Sequence, residues 1–339
     1  MTCPASSTTR WANATVRRRW RASATSSAKA SARRRSCPTC ARRTGRGPRS
    51  TRRSAWPRRC RRCRSAAPGG SAYRANLKLA APLSAGIRLG HETGFDSGST
   101  LDYVYRNQAQ GAGPLGRLVD RHYLNAIGWR GIRVRKGHVE ELLGLAMAQL
   151  AAQGLAVRVV DIAAGHGRYV LDAVAQAPQR PQAVLLRDYS PINVRDGRAL
   201  ITRRGLGDLA RFEQADAFDR ASLAAMRLGP QDAPPTLAVV SGLYELFADN
   251  ELVARSLAGL ADALPAGARL VYTGQPWHPQ LEMIARALTS HRQGQAWVMR
   301  RRTQQELDQL VAAAGFCKLT QRVDEWGIFT VSLAERVRA

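Results

Sequence analysis

The segment VRVVDIAAGHGRYVLDA, residues 157–173, reads as a strand running into a ligand-contacting turn. A β-rich apolar run closes on Asp161, and Gly165 and Gly167 then let backbone approach a bound group where a Cβ would collide. The helix that follows presents unpaired N–H groups to the turn. A dinucleotide-binding loop of the form G-x-G-x-x-G/A needs a third small residue for close helix–strand packing. That place is Val170 here, so a pyrophosphate is poorly served. Two more acids sharpen the reading. Asp188 closes AVLLRD, where a carboxylate can accept both hydroxyls of a ribose, and Asp216 follows RFEQ, where a carboxylate can take an exocyclic adenine amino group. Singly, each acid is better explained as a loop or capping Asp. Three acids 27 and 28 residues apart, in register with the glycine turn, describe a cleft for an adenosine with a cationic appendage and no phosphates.

The elements that must position these residues alternate. Apolar runs at Val157–Ile162, Ala183–Leu186, Arg211–Gln214, Leu237–Val240 and Arg269–Thr273 predict five strands. Helices are predicted over Arg168–Ala177, Ile192–Arg203, Asn250–Leu264 and Thr303–Ala314, the last stopped by Gly315. Lys318–Val323 and Ile328–Leu333 form a closing hairpin around Asp324-Glu-Trp-Gly327. The fold class is therefore α/β: a Rossmann-like, doubly wound seven-stranded sheet with a C-terminal antiparallel hairpin strand. Ahead of it, Val139, Leu142, Leu143, Ala146, Met147 and Leu150 recur at helical spacing, with Gly154 as the stop. Residues 73–154 are expected to form a helical N-terminal cap, with 73–100 partly loop, and 155–339 the core.

With DIAAGHG, the acids at 188 and 216 and the AGF-hairpin ending, residues 155–339 resemble the class I S-adenosylmethionine-dependent methyltransferases. The resemblance implies S-adenosyl-L-methionine as cofactor. Gly165 and Gly167 would line its methionine part, Asp188 with Tyr189 its ribose, and Asp216 with Ala217 its adenine. Ser241 would also line the site, and Asp161 would support the loop or the cofactor's amino group. Many members have Gly where this chain has Ala163, a departure expected to tighten the loop. More narrowly, STLDYVYRN, YLNAIGWRGIRVRK, TGQPWHPQLEMIA and DEWGIFTVS resemble a bacterial putative-methyltransferase family, often fused behind an α/β-hydrolase domain.

Methyl transfer from a sulfonium is an in-line displacement, so alignment and proximity supply most of the catalysis, with room for one base. Candidates lie beyond strands four and five, at the carboxyl edge of the sheet. Ser241-Gly-Leu-Tyr244-Glu245 lacks the Asn/Asp-Pro-Pro-Tyr run of nucleic-acid amino methyltransferases. Tyr244 and His278 are the catalytic candidates, His278 for its titration range, and Trp277 is a candidate wall of the acceptor pocket. The basic clusters at 129–136 and 297–302 make Arg133 and Arg300 candidate contacts for an anionic headgroup, with a solvated basic stretch as the even alternative. The acceptor is expected to be a small molecule or lipid-like, with no specific nucleic acid and no metal.

Composition divides the 339-residue chain. Its net charge of +27 suggests nucleic acid, yet residues 1–91 hold 23 basic residues and no acid, and the remainder is nearly balanced at +4. From Thr2 to Ala72 there is no Leu, Ile, Phe, Gln, His, Asp or Glu, a composition unable to offset chain entropy by burial. Almost every residue there has a codon with G or C at its second base, as when a GC-rich gene is read out of frame. Residues 1–72 are thus read as a disordered basic segment and a frame artefact, with an upstream hydrolase domain lost to another frame. Cys37-Pro-Thr-Cys40 and Cys60-Arg-Arg-Cys63 have the spacing of a four-thiolate zinc site, which supports the alternative of a zinc-binding nucleic-acid-binding protein with a methyltransferase-like fold. An RNA or protein methyltransferase is a further alternative. A transit peptide would need an amphipathic helix, and the segment has no aliphatic face. No run of 18 apolar residues exists. Cys317 is the one cysteine outside the segment, which suits a reducing, cytoplasmic setting without structural disulfides.

Overall fold

The computed structural model describes residues 68–337. Of residues 1–72, read as a disordered frame artefact, only 68–72 are described, and they are helical rather than disordered; the zinc reading of Cys37, Cys40, Cys60 and Cys63 lies outside the described residues. Five cap helices come first: α1 (Pro68–Ala80), α2 (Ala85–Thr93), α3 (Gly98–Arg106), α4 (Gly113–Leu124) and α5 (Ile127–Ala152). The core then alternates through β1 (Arg158–Ile162), α6 (Arg168–Gln176), β2 (Ala183–Asp188), α7 (Pro191–Arg203), β3 (Ala210–Gln214), α8 (Arg220–Ala224), β4 (Leu237–Val240), α9 (Asn250–Ala263) and β5 (Arg269–Gly274). It closes with α10 (Leu281–Ala287), α11 (Gln304–Ala313), β6 (Phe316–Val323) and β7 (Thr330–Arg336).

The sheet order is β3-β2-β1-β4-β5-β7-β6. The first five strands are parallel, and β7 inserts antiparallel between β5 and the edge strand β6. Strands β1, β2 and β4 are buried almost throughout because helices cover both faces. One face packs on α5, α6 and α7 through Leu143, Leu171 and Val194. The other packs on α8, α9 and α11 through Leu223, Leu257 and Leu307. Winding reverses between β1 and β4, which puts the crevice for a ligand at their carboxyl ends.

Residues 73–100 differ from expectation. They are mostly helical, and α1 begins upstream of Tyr73 at Pro68. The small polar residues that read as loop are caps: Ser84 accepts from Ile87 N–H, Ser97 accepts from Thr100 N–H, and Gly94 ends α2 at φ 95°. The long helix α5 lies within residues 73–154 and serves two clusters: Val139 to Leu150 pack on the sheet, while Trp129 and Ile132 join a second cluster with Phe95, Tyr103 and Leu124. No described helix is long and apolar enough to cross a membrane.

Candidate active site

The turn after β1 is built from three left-handed residues in five: Ala163 (φ 58°), Gly165 (φ 60°) and Gly167 (φ 72°). The two glycines are needed for different reasons. A Cβ on Gly167 would stand 2.3 Å from Leu186 Cδ1, in the fully buried core, so this glycine seats α6 against β2. A Cβ on Gly165 would meet only Gly98 Cα at 3.4 Å and would otherwise project into open cleft. That is a cradle kept clear for a ligand.

Asp188, at the end of β2, holds the turn. Its carboxylate accepts from Gly165 N–H (2.9 Å), Ser190 N–H (2.9 Å) and Asn193 Nδ2 (3.1 Å). Burial raises its pKa, and these donors work against that shift. Asp216, after β3, accepts from Phe218 N–H at 2.9 Å, an Asx turn on the cleft rim. Ala163, Gly165, Gly167, Asp188, Tyr189, Asp216, Ala217 and Ser241 all line one cleft of about 1030 Å³. Asp161 does not. It is fully buried beneath the turn, where it accepts from Tyr169 Oη at 2.8 Å, and burial raises its pKa strongly. The position fits support of the loop rather than contact with a ligand.

The outer wall of the cleft comes from two places the sequence did not mark. One is the cap, through Thr93, Asp96, Ser99 and Asp102. The other is the hairpin-like loop carrying His291 and Arg292, closed by a bridge between Thr289 and Ala296. Asp96 joins them: its carboxylate accepts from Ser290 Oγ (2.6 Å) and His291 N–H (2.6 Å), and it meets His291 Nδ1 at 2.9 Å. Asp102 ties the cap to the core by receiving both Nε (2.6 Å) and Nη2 (3.2 Å) of Arg168, the first residue of α6.

A second cavity, of about 410 Å³, adjoins the cleft, and the two share Asp96, Leu101, Gly242 and Leu246 as walls. Its lining is largely apolar and aromatic, with Trp129 and Trp297 stacked at 6.0 Å between centroids. Polar exceptions include Arg135, Glu245, Gln275 and His278. The 129–136 cluster hinted at Arg135. Glu245 and Gln275 left no signal beyond following strands four and five.

The family model described as "Putative methyltransferase" matches residues 31–336. The chain belongs to this family. It is 62% identical over 260 residues to the uncharacterized protein YnbC of Escherichia coli (strain K12), covering 77% of this chain and 43% of that protein. The chain thus spans less than half the length of that curated relative. Among solved structures it is similar to a possible exported protein from Bordetella parapertussis, at 18% identity, TM-score 0.55, and coverage of 81% of this chain and 99% of that one. It is also similar to magnesium protoporphyrin IX methyltransferase (ChlM) from Synechocystis PCC 6803 with bound SAH, at 14% identity, TM-score 0.49, and coverage of 72% and 97%. Likeness at such identities concerns the fold. The assignment to the methyltransferases comes from the family match.

Several residues expected at the acceptor line neither cavity. Tyr244 is buried in the core, and its hydroxyl meets Ser256 Oγ at 3.1 Å. It lines neither cavity, and burial raises its pKa, so the phenol is a packing group. Arg300 donates to Glu306 Oε1 (2.8 Å) and Asn250 Oδ1 (3.0 Å), and Arg133 donates to the Leu124 carbonyl (2.8 Å). Both guanidiniums are occupied by structure and neither lines a cavity. Trp277 is 42% exposed and lines neither; Trp129 and Trp297 line the apolar cavity instead.

His278 does reach the apolar cavity, but as the wrong partner for a base. Its Nδ1 accepts from Gln280 N–H at 3.0 Å, which leaves the neutral ring's proton on Nε2. Burial lowers its pKa to about 4, with Asp324 acting weakly the other way. The imidazole is therefore a neutral donor near neutral pH.

Proposed function

We propose that this chain transfers the methyl group of S-adenosyl-L-methionine, held in the cleft beside Gly165 and Asp188, to a small-molecule or lipid-like acceptor held in the adjoining apolar cavity. The observation that carries the reading is the shared wall of Asp96, Leu101, Gly242 and Leu246, which brings a donor cleft and an apolar acceptor cavity together at the carboxyl edge of the sheet. The cleft fits the cofactor in kind: an open glycine cradle, and carboxylates at the ends of β2 and β3 for a ribose and an adenine amino group. Bound there, the cofactor supplies a methyl group activated by a sulfonium. The protein's part is positioning. Gly165 and Gly167 admit the methionine portion, Asp188 with Tyr189 orients the ribose, Asp216 with Ala217 fixes the adenine, and Ala163 and Ser241 complete the wall. The cap and the 288–297 loop exclude water, so the acceptor atom and the methyl meet at contact distance.

The test uses a cell extract incubated with purified protein and methyl-labelled cofactor, then separated into small-molecule, lipid, RNA and protein fractions. Label is expected in the first two. Label confined to RNA or protein overturns the acceptor assignment, and absence of cofactor uptake by calorimetry overturns the whole reading.

A further inference from the structure

Glu245 and Gln275 each bring a buried polar atom with no hydrogen-bond partner to the acceptor cavity, as do Arg135 (Nε), Tyr123 (Oη) and Trp297 (Nε1). Glu245 is 7% exposed; its Oε1 accepts from Arg135 Nη1 at 3.2 Å, while its Oε2 has no hydrogen-bond partner. Gln275, 4% exposed, has an unpartnered Nε2. Each such group forfeits about 1–3 kcal/mol if it stays unmet, so a cavity with a free carboxylate oxygen and several free donors suits a ligand that both donates and accepts. Glu245 and Gln275 come from neighbouring strands at the ligand-binding edge. Glu245 follows β4 three residues after the shared wall residue Gly242, and Gln275 directly follows β5.

Charge narrows the ligand. The guanidinium that lines this cavity, Arg135, is paired with Glu245 and lies over the Phe329 ring at 4.9 Å. Asp96 is taken up by Ser290 and His291. A carboxylate or phosphate entering here would face the Glu245 carboxylate, and the Arg135 guanidinium already has its charge balanced by that same carboxylate.

We infer that the acceptor is neutral and protic, a hydroxyl or amine on an apolar body, with Glu245 Oε2 receiving the heteroatom's proton and Gln275 Nε2 donating to the same polar end. This inference deepens the methyltransferase reading and rests on it. In the step, the heteroatom's lone pair forms the bond to the methyl carbon. The electron pair of the broken carbon–sulfur bond stays on sulfur, and the heteroatom's proton passes to the Glu245 carboxylate, which later releases it to solvent.

Three matched probes test this by calorimetry on the full chain, with and without S-adenosylmethionine: 2-naphthol, its methyl ether, and naphthalene-2-carboxylate. The naphthol should bind about tenfold tighter than either of the others. Glu245→Gln should erase about tenfold of that preference and relieve the penalty on the carboxylate. Because Glu245→Gln leaves Arg135 buried without its counter-charge, a second variant guards against misfolding. Gln275→Leu should keep or raise the melting temperature, having removed an unmet amide, yet bind the naphthol about fivefold more weakly. Equal binding of the three probes, tightest binding of the carboxylate, or unchanged naphthol affinity in a folded Gln275→Leu protein overturns the inference. So does failure of all probes to bind while S-adenosylmethionine still titrates, an outcome that leaves the methyltransferase reading standing.

Discussion

The Asp188 carboxylate accepts from Gly165, Ser190 and Asn193 at once, so it shapes the glycine turn as well as facing the cleft. Asp188→Ala leaves those donors unmet at a site 4% exposed, and we expect a loss of about 2–4 kcal/mol in stability with abolition of cofactor binding. Asp188→Asn should keep most of the stability and still weaken binding about tenfold, and calorimetry beside thermal unfolding separates the two effects. His278 carries a pH signature. Its folded pKa of about 4 lies below that of an unfolded histidine, so the unfolded chain binds the extra proton first. Stability contributed by the neutral ring is fully present above about pH 6.5 and falls, by on the order of 2–3 kcal/mol, as pH drops toward 4. His278→Gln should flatten that part of the stability–pH curve, and an unchanged slope in urea melts between pH 4 and 7 would refute the assignment. Asp188 was legible because it is the last residue of its strand and sits beside the glycine turn, whereas Asp161, one residue short of its strand's end, turns beneath that loop. Tyr244, Arg300 and Trp277 were not, since residue type and loop membership leave side-chain direction open, and direction decides between core, ion pair and cavity.

At the scale of elements, the turn after β1 separates folding from binding. Gly167→Ala combines a left-handed φ with a Cβ forced against Leu186 in the closed core, and should cost about 2–4 kcal/mol. Gly165→Ala bears only the backbone cost, about 1–2 kcal/mol, because its Cβ enters open cleft. The Gly165→Ala protein should therefore melt close to the parent and yet lose cofactor affinity more than tenfold. Equal losses of stability in the two variants would contradict this division. The strands were readable because a parallel sheet buried on both faces demands short continuous apolar runs, as in Val159–Ile162 and Leu237–Val240. The cap helices α1, α2 and α3 were not. They run only 9–13 residues, bury single faces against one another, and take their ends from Ser84 and Ser97, residues equally at home in a loop.

Across the whole molecule, the seven strands, the parallel sheet and its closing antiparallel hairpin were legible, but the way the cap closes on the core was not, because that closure depends on contacts distant in sequence. Asp102 of α3 grips Arg168 of α6, 66 residues away, and also receives Arg106 Nε at 3.1 Å. The grip lies one residue beyond Gly167 and beside the cleft, so cap docking and the shape of the glycine turn are mechanically joined. Asp120 performs the same service inside the cap, accepting from Ser84 Oγ (2.5 Å), Gly86 N–H (2.9 Å), Gln110 N–H (2.8 Å) and Tyr103 Oη. The two carboxylates should fail differently. Asp120→Asn loosens the cap internally. Asp102→Asn leaves the cap folded but weakens its hold on the core, since Arg168 loses its charged partner at a site where both side chains are mostly shielded from water. Amides of 98–106 should then exchange several-fold faster while those of β1, β2 and β4 keep their protection, and bound S-adenosylmethionine should leave about tenfold faster because the outer wall opens more often. Unchanged exchange across 98–106, or an unchanged release rate with the expected loosening, would show that the cap covers the cleft without gating it.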